Sequence, residues 1–225
     1  MRYNSFYKIH KGLRAMLYET GLELQRCDFA NEEEATSILQ DIAGVVDMFE
    51  HHAYHEDNYI FSAIEQFEPS IVDTFEQEHV KDHELGEKLN SLLAMYPTLK
   101  TDDEKIYFGS AIRKNFVEFI AFNLEHMAKE EDIINNLLWR YFSDDEILAL
   151  EHKIVASSSP EHVAIVMKWM LRGLSNQEIV KLLKDAEKNA PEHVFQRLFA
   201  AAENEISESR FRKVIESLTE GQMVV

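Results

Sequence analysis

Apolar residues recur through the first two thirds of the chain at spacings of three and four, the period of a helix buried on one face. Phe6, Ile9, Leu13, Met16/Leu17 and Leu24 form the first stripe, which predicts a helix opening after Asn4 or Ser5 and running to about Cys27. The second stripe reads Ile38, Ile42, Val45, Phe49, His52, Glu56 and Tyr59/Ile60. The third, from about Ser70 to Met95, turns Val72, Phe75, His79, His83, Gly86, Leu89 and Leu93 inward. The fourth is Ile112, Phe116, Phe119, Asn123, His126, Glu130, Ile133/Ile134 and Leu137.

The punctuation agrees. Asn31 followed by Glu32, Glu33 and Glu34 suits a helix N-terminus, where a side-chain oxygen meets free N–H groups and acids meet the positive dipole end. Pro69 breaks the chain, Pro97 ends the third helix, and Thr101 with Glu104 has the capping-box spacing. Four long helices joined by short breaks predict an all-α, up-down four-helix bundle over residues 1–142. Beyond it the elements shorten. Ser143 with Glu146 and Ser175 with Glu178 repeat the capping-box pattern, Ser157 to Pro160 reads as a turn, Gly173 as a stop and Pro191 as a first-turn residue. Four or five short helices are expected between about 144 and 219, then a frayed tail. This extension, 143–225, would cap the bundle, bury an apolar face of it, or mediate dimerisation. No window alternates with period two, and only 7 glycines and 4 prolines occur.

Charge and cysteine content narrow the function classes. A formal charge of -18 repels a phosphate backbone, so nucleic acid is excluded as main partner. One cysteine, Cys27, permits no internal disulfide and suits a reducing compartment. No apolar run is long enough for a membrane span, and the first residues lack a secretory apolar core, so a cytoplasmic protein is expected.

The informative positions are those where polar residues interrupt the stripes. Residues i and i+4 share a helix face. The second helix carries His52-x-x-x-Glu56, the third His79-x-x-x-His83, the fourth His126-x-x-x-Glu130, and the first adds His10 beside Ile9. Burying so many polar groups costs about 2 kcal/mol or more each unless they find partners. Metal ions supply the missing positive charge. Imidazole suits iron, zinc, copper and nickel, and carboxylate suits harder ions such as manganese. Seven ligands exceed one tetrahedral zinc and fit two ions with a position left for a small exogenous ligand. His51 and His55 form a competing i,i+4 pair. The stripe phase favours His52 with Glu56 and leaves His51 on the surface or behind a ligand, while His55, directly before Glu56, stays open as an alternative ligand. His152, His162 and His193 show no ligand spacing. Phe49, Phe75, Phe116 and Phe119 are core residues that would also wall the site, and Asn123 is either a supporting hydrogen-bond partner or a satisfied core amide. Gly86 on the inner face suggests close packing or room for a channel. Cys27 is read as inert, and Tyr54 and Tyr59 flank the site without a redox role.

These segments resemble hemerythrin and the wider hemerythrin-like, cation-binding domains. The resemblance rests on Ile9-His10-Lys-Gly, Phe49 through Phe61, Glu78-His79-Val-Lys-Asp-His83 and Leu124-Glu-His126-Met-Ala-Lys-Glu130-Glu131. It implies a diiron centre, carboxylate- and oxo-bridged, with manganese or zinc also able to occupy it. By the resemblance Glu56 and Glu130 bridge, His10 and His52 serve one ion, and His79, His83 and His126 the other. The stretch from Trp139 to Glu146, with Met167 to Met170 and Leu174 to Glu178, is similar to the segment after such domains in plant iron-sensing ubiquitin ligases. The implied function is a metal-binding protein that takes dioxygen, nitric oxide or iron itself for sensing, storage or transport. The alternatives are a diiron enzyme (peroxide decomposition, oxidase or iron-sulfur repair) and an interaction protein stabilised by metal.

Overall fold

The computed structural model of the chain describes residues 2–220, which form helices and short connections with no strand among them. The tail expected to fray lies outside the described residues. No helix of the described residues is long and apolar enough to cross a membrane. Helix α1 spans Tyr7–Arg26, with the Phe6 N–H donated to Asn4 Oδ1 just before it. Helix α2, Glu32–His55, starts as its sequence dictates: the Asn31 side chain accepts from the N–H groups of Glu33 and Glu34. It runs on through a π-helical turn, Glu56–Phe61, into the short α3, Ser62–Ile64. Helix α4 is Pro69–Met95, with proline in the first turn, where its missing N–H costs nothing. Helix α5, Asp102–Asp132, opens on the capping box of Thr101 and Glu104. A break at Ile133 leads to α6, Ile134–Tyr141, and then α7, Asp144–Ser157. The later helices are α8, Pro160–Gly173, α9, Asn176–Asn189, α10, Glu192–Glu205, and α11, Glu208–Glu220.

The chain divides into two compact units, and not at residue 143. One holds the residues up to Phe6 and residues 16–157, so α7 stays with the bundle helices. The other joins residues 7–15, the first half of α1, to the chain from 158 onward.

In the first unit α2 lies against α4 and α4 against α5. Gly86 is a point of close approach: a Cβ there would meet Val46 Cγ1 at 3.0 Å. That settles its role as packing. One end of the unit is filled by Phe6, Ile60, Phe61, Val72 and Phe75 from the bundle with Ile134, Leu138 and Ile147 from α6 and α7. The N-terminal residues strap this end, with Arg2 donating to the Trp139 and Phe142 carbonyls.

In the second unit the core is Leu171, Leu174, Ile179, Leu183, Leu198, Ala202, Ile206 and Val214. Its helix crossings are tight. A Cβ on Gly12 would lie 2.9 Å from the Met170 nitrogen, and one on Gly173 only 2.2 Å from the Lys11 oxygen. Backbone cannot yield as a flexible side chain can, so both positions need glycine. Beside them Lys11 Nζ donates to Glu178 Oε2 at 2.7 Å. Glu178 also closes the α9 capping box with Ser175. Partial burial opposes its charge, yet Lys11 and the Ser175 N–H hold its pKa at about 2. Arg210 donates to the Arg172 and Leu174 carbonyls at the α8 C-terminus, satisfying oxygens the helix leaves over.

Candidate metal centre

Three helices of the bundle place their polar residues at one level. Glu56 opens the π-helical turn that follows α2; such widened turns recur at functional sites. With the extra residue in that turn, Glu56, Ile60 and Phe61 are all buried. His79 comes from α4, and His126 and Glu130 from α5, four apart on one face.

Glu56, His79, His126 and Glu130 each offer one ligand atom, and these atoms lie within 4.8 Å of one another. His52, Glu56 and Glu130 meet the same measure. All but His52 are buried, and Glu130 has no exposed surface at all. Glu56 spans two partners: Oε1 lies 3.1 Å from His52 Nε2 and Oε2 lies 3.4 Å from His79 Nε2. Glu130 Oε1 lies 3.3 Å from His126 Nε2 and 4.0 Å from His79 Nε2.

The outer faces of the two inner imidazoles are held by carboxylates. His79 donates from Nδ1 to Asp57 Oδ1 at 2.7 Å. His126 donates from Nδ1 to Glu78 Oε2 at 2.8 Å, and Lys129 Nζ holds the other oxygen of Glu78 at 2.9 Å. Both rings therefore turn Nε2 into the cluster, where neither Nε2 has a hydrogen-bond partner. A carboxylate behind and a free nitrogen in front is the arrangement that orients a metal-ligating histidine. Phenylalanines surround it: Phe61 stacks on His79 at 5.2 Å between centroids, Phe122 on His126 at 6.1 Å, and Phe49 meets His52 edge-on at 6.5 Å.

Burial works against a charged His79, but the Asp57 hydrogen bond and Glu56 outweigh it and raise its pKa to about 10. Burial likewise opposes a charged His126, and Glu130 with Glu56 raises it to about 9. Protons on the two imidazoles thus offset the buried carboxylate charge. A pair of cations could take over that task, because the donor set is imidazole nitrogen and carboxylate oxygen in a dry pocket. The residues fit such a group.

Of the histidines considered as ligands, His83, His55 and His51 stand apart from this cluster. His83 is a correction: it lies exposed, donating from Nδ1 to Glu50 at 2.7 Å, and Asp82 takes the inward place beside it. One residue turns a helix by about 100°, so the two cannot share a face. His55 is buried against Tyr54 and Tyr59, with centroids at 5.7 and 6.3 Å, and stands outside the ligand groups. His51 is exposed and donates to the Asp47 carbonyl. His10 is fully buried on α1, in the half of that helix that belongs with the second unit. Reading the sequence missed Asp57, Glu78 and Asp82. Asp57 and Glu78 each adjoin a ligand in the chain, which is the one signal that could have marked them.

Comparison with known proteins bears on this site. The model of the Hemerythrin HHE cation binding domain matches residues 2–138. F-box/LRR-repeat protein 5 of Salmo salar is 22% identical over 169 residues, covering 73% of this chain and 24% of that protein. Its Mus musculus counterpart is 25% identical over 182 residues, with 76% and 25% covered. A zinc finger protein BRUTUS-like of Arabidopsis thaliana is 26% identical over 200 residues, with 82% and 15% covered. The chain therefore spans about a quarter or less of these relatives. Each likeness covers more of this chain than residues 2–138 do, so it continues into the later helices. No solved structure matches the chain.

Proposed function

Because the chain belongs to the hemerythrin HHE cation-binding domain family, we propose that it holds a carboxylate-bridged pair of iron ions that takes up a small molecule or iron itself for sensing, storage or transport. Glu56 and Glu130 are the bridging carboxylates. His79 and His126 serve one ion, and His52 and His10 the other, His10 entering on the strength of the family resemblance. The observation that carries the reading is the fully buried group Glu56, His79, His126 and Glu130, with two imidazole nitrogens aimed inward and no hydrogen-bond partner on either. An iron pair so held supplies reversible redox chemistry and an open position for dioxygen, nitric oxide or a similar ligand.

The protein's own residues do the rest. Asp57 and Glu78 fix the ring orientations and, as hydrogen-bond acceptors, raise the basicity of Nε2. Phe49, Phe61, Phe75 and Phe122 pack against the histidine rings and keep bulk water out. Dryness strengthens every electrostatic contact inside.

Metal analysis of the purified protein, with the visible spectrum recorded before and after azide, tests this. Two irons per chain and an azide-dependent charge-transfer band are expected. Glu56→Ala and Glu130→Ala should each lose at least one iron. Zinc alone, or two irons retained in both variants, overturns the assignment.

A further inference from the structure

The two inner imidazoles of the centre are backed by carboxylates in different surroundings. Behind His79, Asp57 Oδ1 accepts from Nδ1 at 2.7 Å, and among the described residues no lysine or arginine pairs with Asp57. Its neighbourhood is acidic: burial, and then the charges of Asp57, Glu65 and Asp73, push the Glu76 pKa up. Behind His126, Glu78 Oε2 accepts from Nδ1 at 2.8 Å, while Glu78 Oε1 accepts from Lys129 Nζ at 2.9 Å. His126 and Lys129 stand three apart on α5 and so share a face. Glu78 of α4 reaches across to both, with one oxygen for each. Lys129 is also shared with Glu125, four residues before it, at 3.0 Å.

A carboxylate that accepts the outer N–H of a ligating imidazole makes the inner nitrogen a stronger donor. A cation on the far oxygen of that carboxylate opposes the charge it can lend. Glu78 is opposed in this way by Lys129, and Asp57 has no such partner. The Lys129 side chain is 40% exposed, where an ion pair adds little to folding stability. Its effect falls instead on Glu78, which is 21% exposed and meets the buried His126 ring through a hydrogen bond, with no solvent between them.

We infer that Lys129 is a positioning residue for the metal pair: through Glu78 it fixes the His126 ring and weakens that ligand's donation. His79 is then the stronger donor and His126 the weaker. The ion they share favours the ferrous state more than two equally backed imidazoles would allow. Lys129 acts only through the carboxylate it grips. The inference rests on the two-iron reading and adds to it a control of reduction potential.

The test measures the reduction potential of the iron-loaded full chain for the unsubstituted protein, Lys129→Met and Lys129→Arg, with iron content and circular dichroism recorded for each. All three should hold two irons. Lys129→Met should favour ferric over ferrous iron about threefold more than the unsubstituted protein does, the scale of one half-exposed charge pair. Lys129→Arg should match the unsubstituted protein. Glu78→Gln, alone and combined with Lys129→Met, completes a double-mutant cycle. With the carboxylate gone, removing Lys129 should leave the potential where it is. An unshifted potential in Lys129→Met overturns the inference. So does an equal shift in the Glu78→Gln background, which would mean charge acting through space. A second measurement needs no iron. In the metal-free chain the His126 Nδ1 proton should resonate further downfield in Lys129→Met, where Glu78 accepts more strongly, and return in Lys129→Arg. An unmoved proton overturns the inference even where Glu78→Gln fails to hold iron. Failure of the unsubstituted protein to hold iron defeats the two-iron reading itself, a result distinct from an iron-loaded protein whose potential ignores Lys129.

Discussion

Helices α4 and α5 and the π-helical turn after α2 bury Glu56, His79, Asp82, Asn123, His126 and Glu130, whereas among the described residues of α8 to α11 every buried side chain is apolar. Both regions are helical and both begin helices with side-chain caps. They differ in what their interiors must satisfy. The α8–α11 core is held by area removed from water, about 25 cal/mol per Å² of apolar surface. The bundle core carries charge that apolar burial alone would penalise. One interior is complete as a folded chain; the other is built to be completed by something added to it.

The sharpest way to break that contrast is to remove metal. Chelation should lower the stability of the bundle by about 4 kcal/mol for each ion held at a thousand times its Kd. Hydrogen exchange resolved by segment should quicken in α2, α4 and α5 and stay unchanged in α9 to α11. Equal change in both regions would erase the distinction. The reverse experiment is Leu183→Ala, at a position with no exposed surface. It should cost about 2–5 kcal/mol in thermal or urea unfolding, with iron content unaffected.

Acidity gives a third comparison. His79 and His126 bind protons more tightly folded, at about 10 and about 9, than the ordinary imidazole at about 6.5. The metal-free bundle therefore has its full benefit below about 6.5 and loses it as pH rises through about 9 and about 10, a loss on the order of a few kcal/mol. Metal uptake runs the other way. Each ion must displace these protons, so affinity should fall as the solution is made more acid. Titration of melting temperature against pH, with and without iron, should give slopes of opposite sign. The smallest effect belongs to His83→Ala: the residue is exposed, so stability should move by less than about 0.5 kcal/mol and iron content not at all.

Most helix positions could be read from the stripes and caps, because capping chemistry is local and explicit at Asn31, Thr101 and Ser175. So could Glu56, His79, His126 and Glu130, each set in an unbroken apolar stripe. The misreadings share one cause: apolar identity was given more weight than helix pitch. Along α1 and just before it, buried positions 6, 10, 13, 17, 20 and 24 alternate by four and three, with Met16 buried beside them, which puts His10 at the centre of the stripe and Ile9 at its edge. On α4 the buried positions 72, 75, 79, 82, 86 and 89 follow the same alternation, with Leu85 beside them, which selects Asp82 and turns His83 out. An aspartate in a core is a poor guess on composition, yet the pitch demands it. The π-helical turn after Glu56 had only one trace in the sequence, the adjacent apolar pair Ile60 and Phe61, and such pairs are common in ordinary helices. Asp57 and Glu78 act across elements, so their partners depend on a packing that spacing along one helix does not encode.

The glycines at 12 and 173 set how this protein can be divided. Because the first half of α1 is seated on α8 through backbone contact, and its second half belongs to the bundle, one helix is owned by both units. Neither unit is then a portable cassette. A segment ending at residue 157 would carry Gly12 and Lys11 without the surface they were shaped for, and a segment starting at residue 158 would lack a wall. Gene fusion or transfer would have to move the two together, and the stretch shared with the curated relatives does run past residue 138.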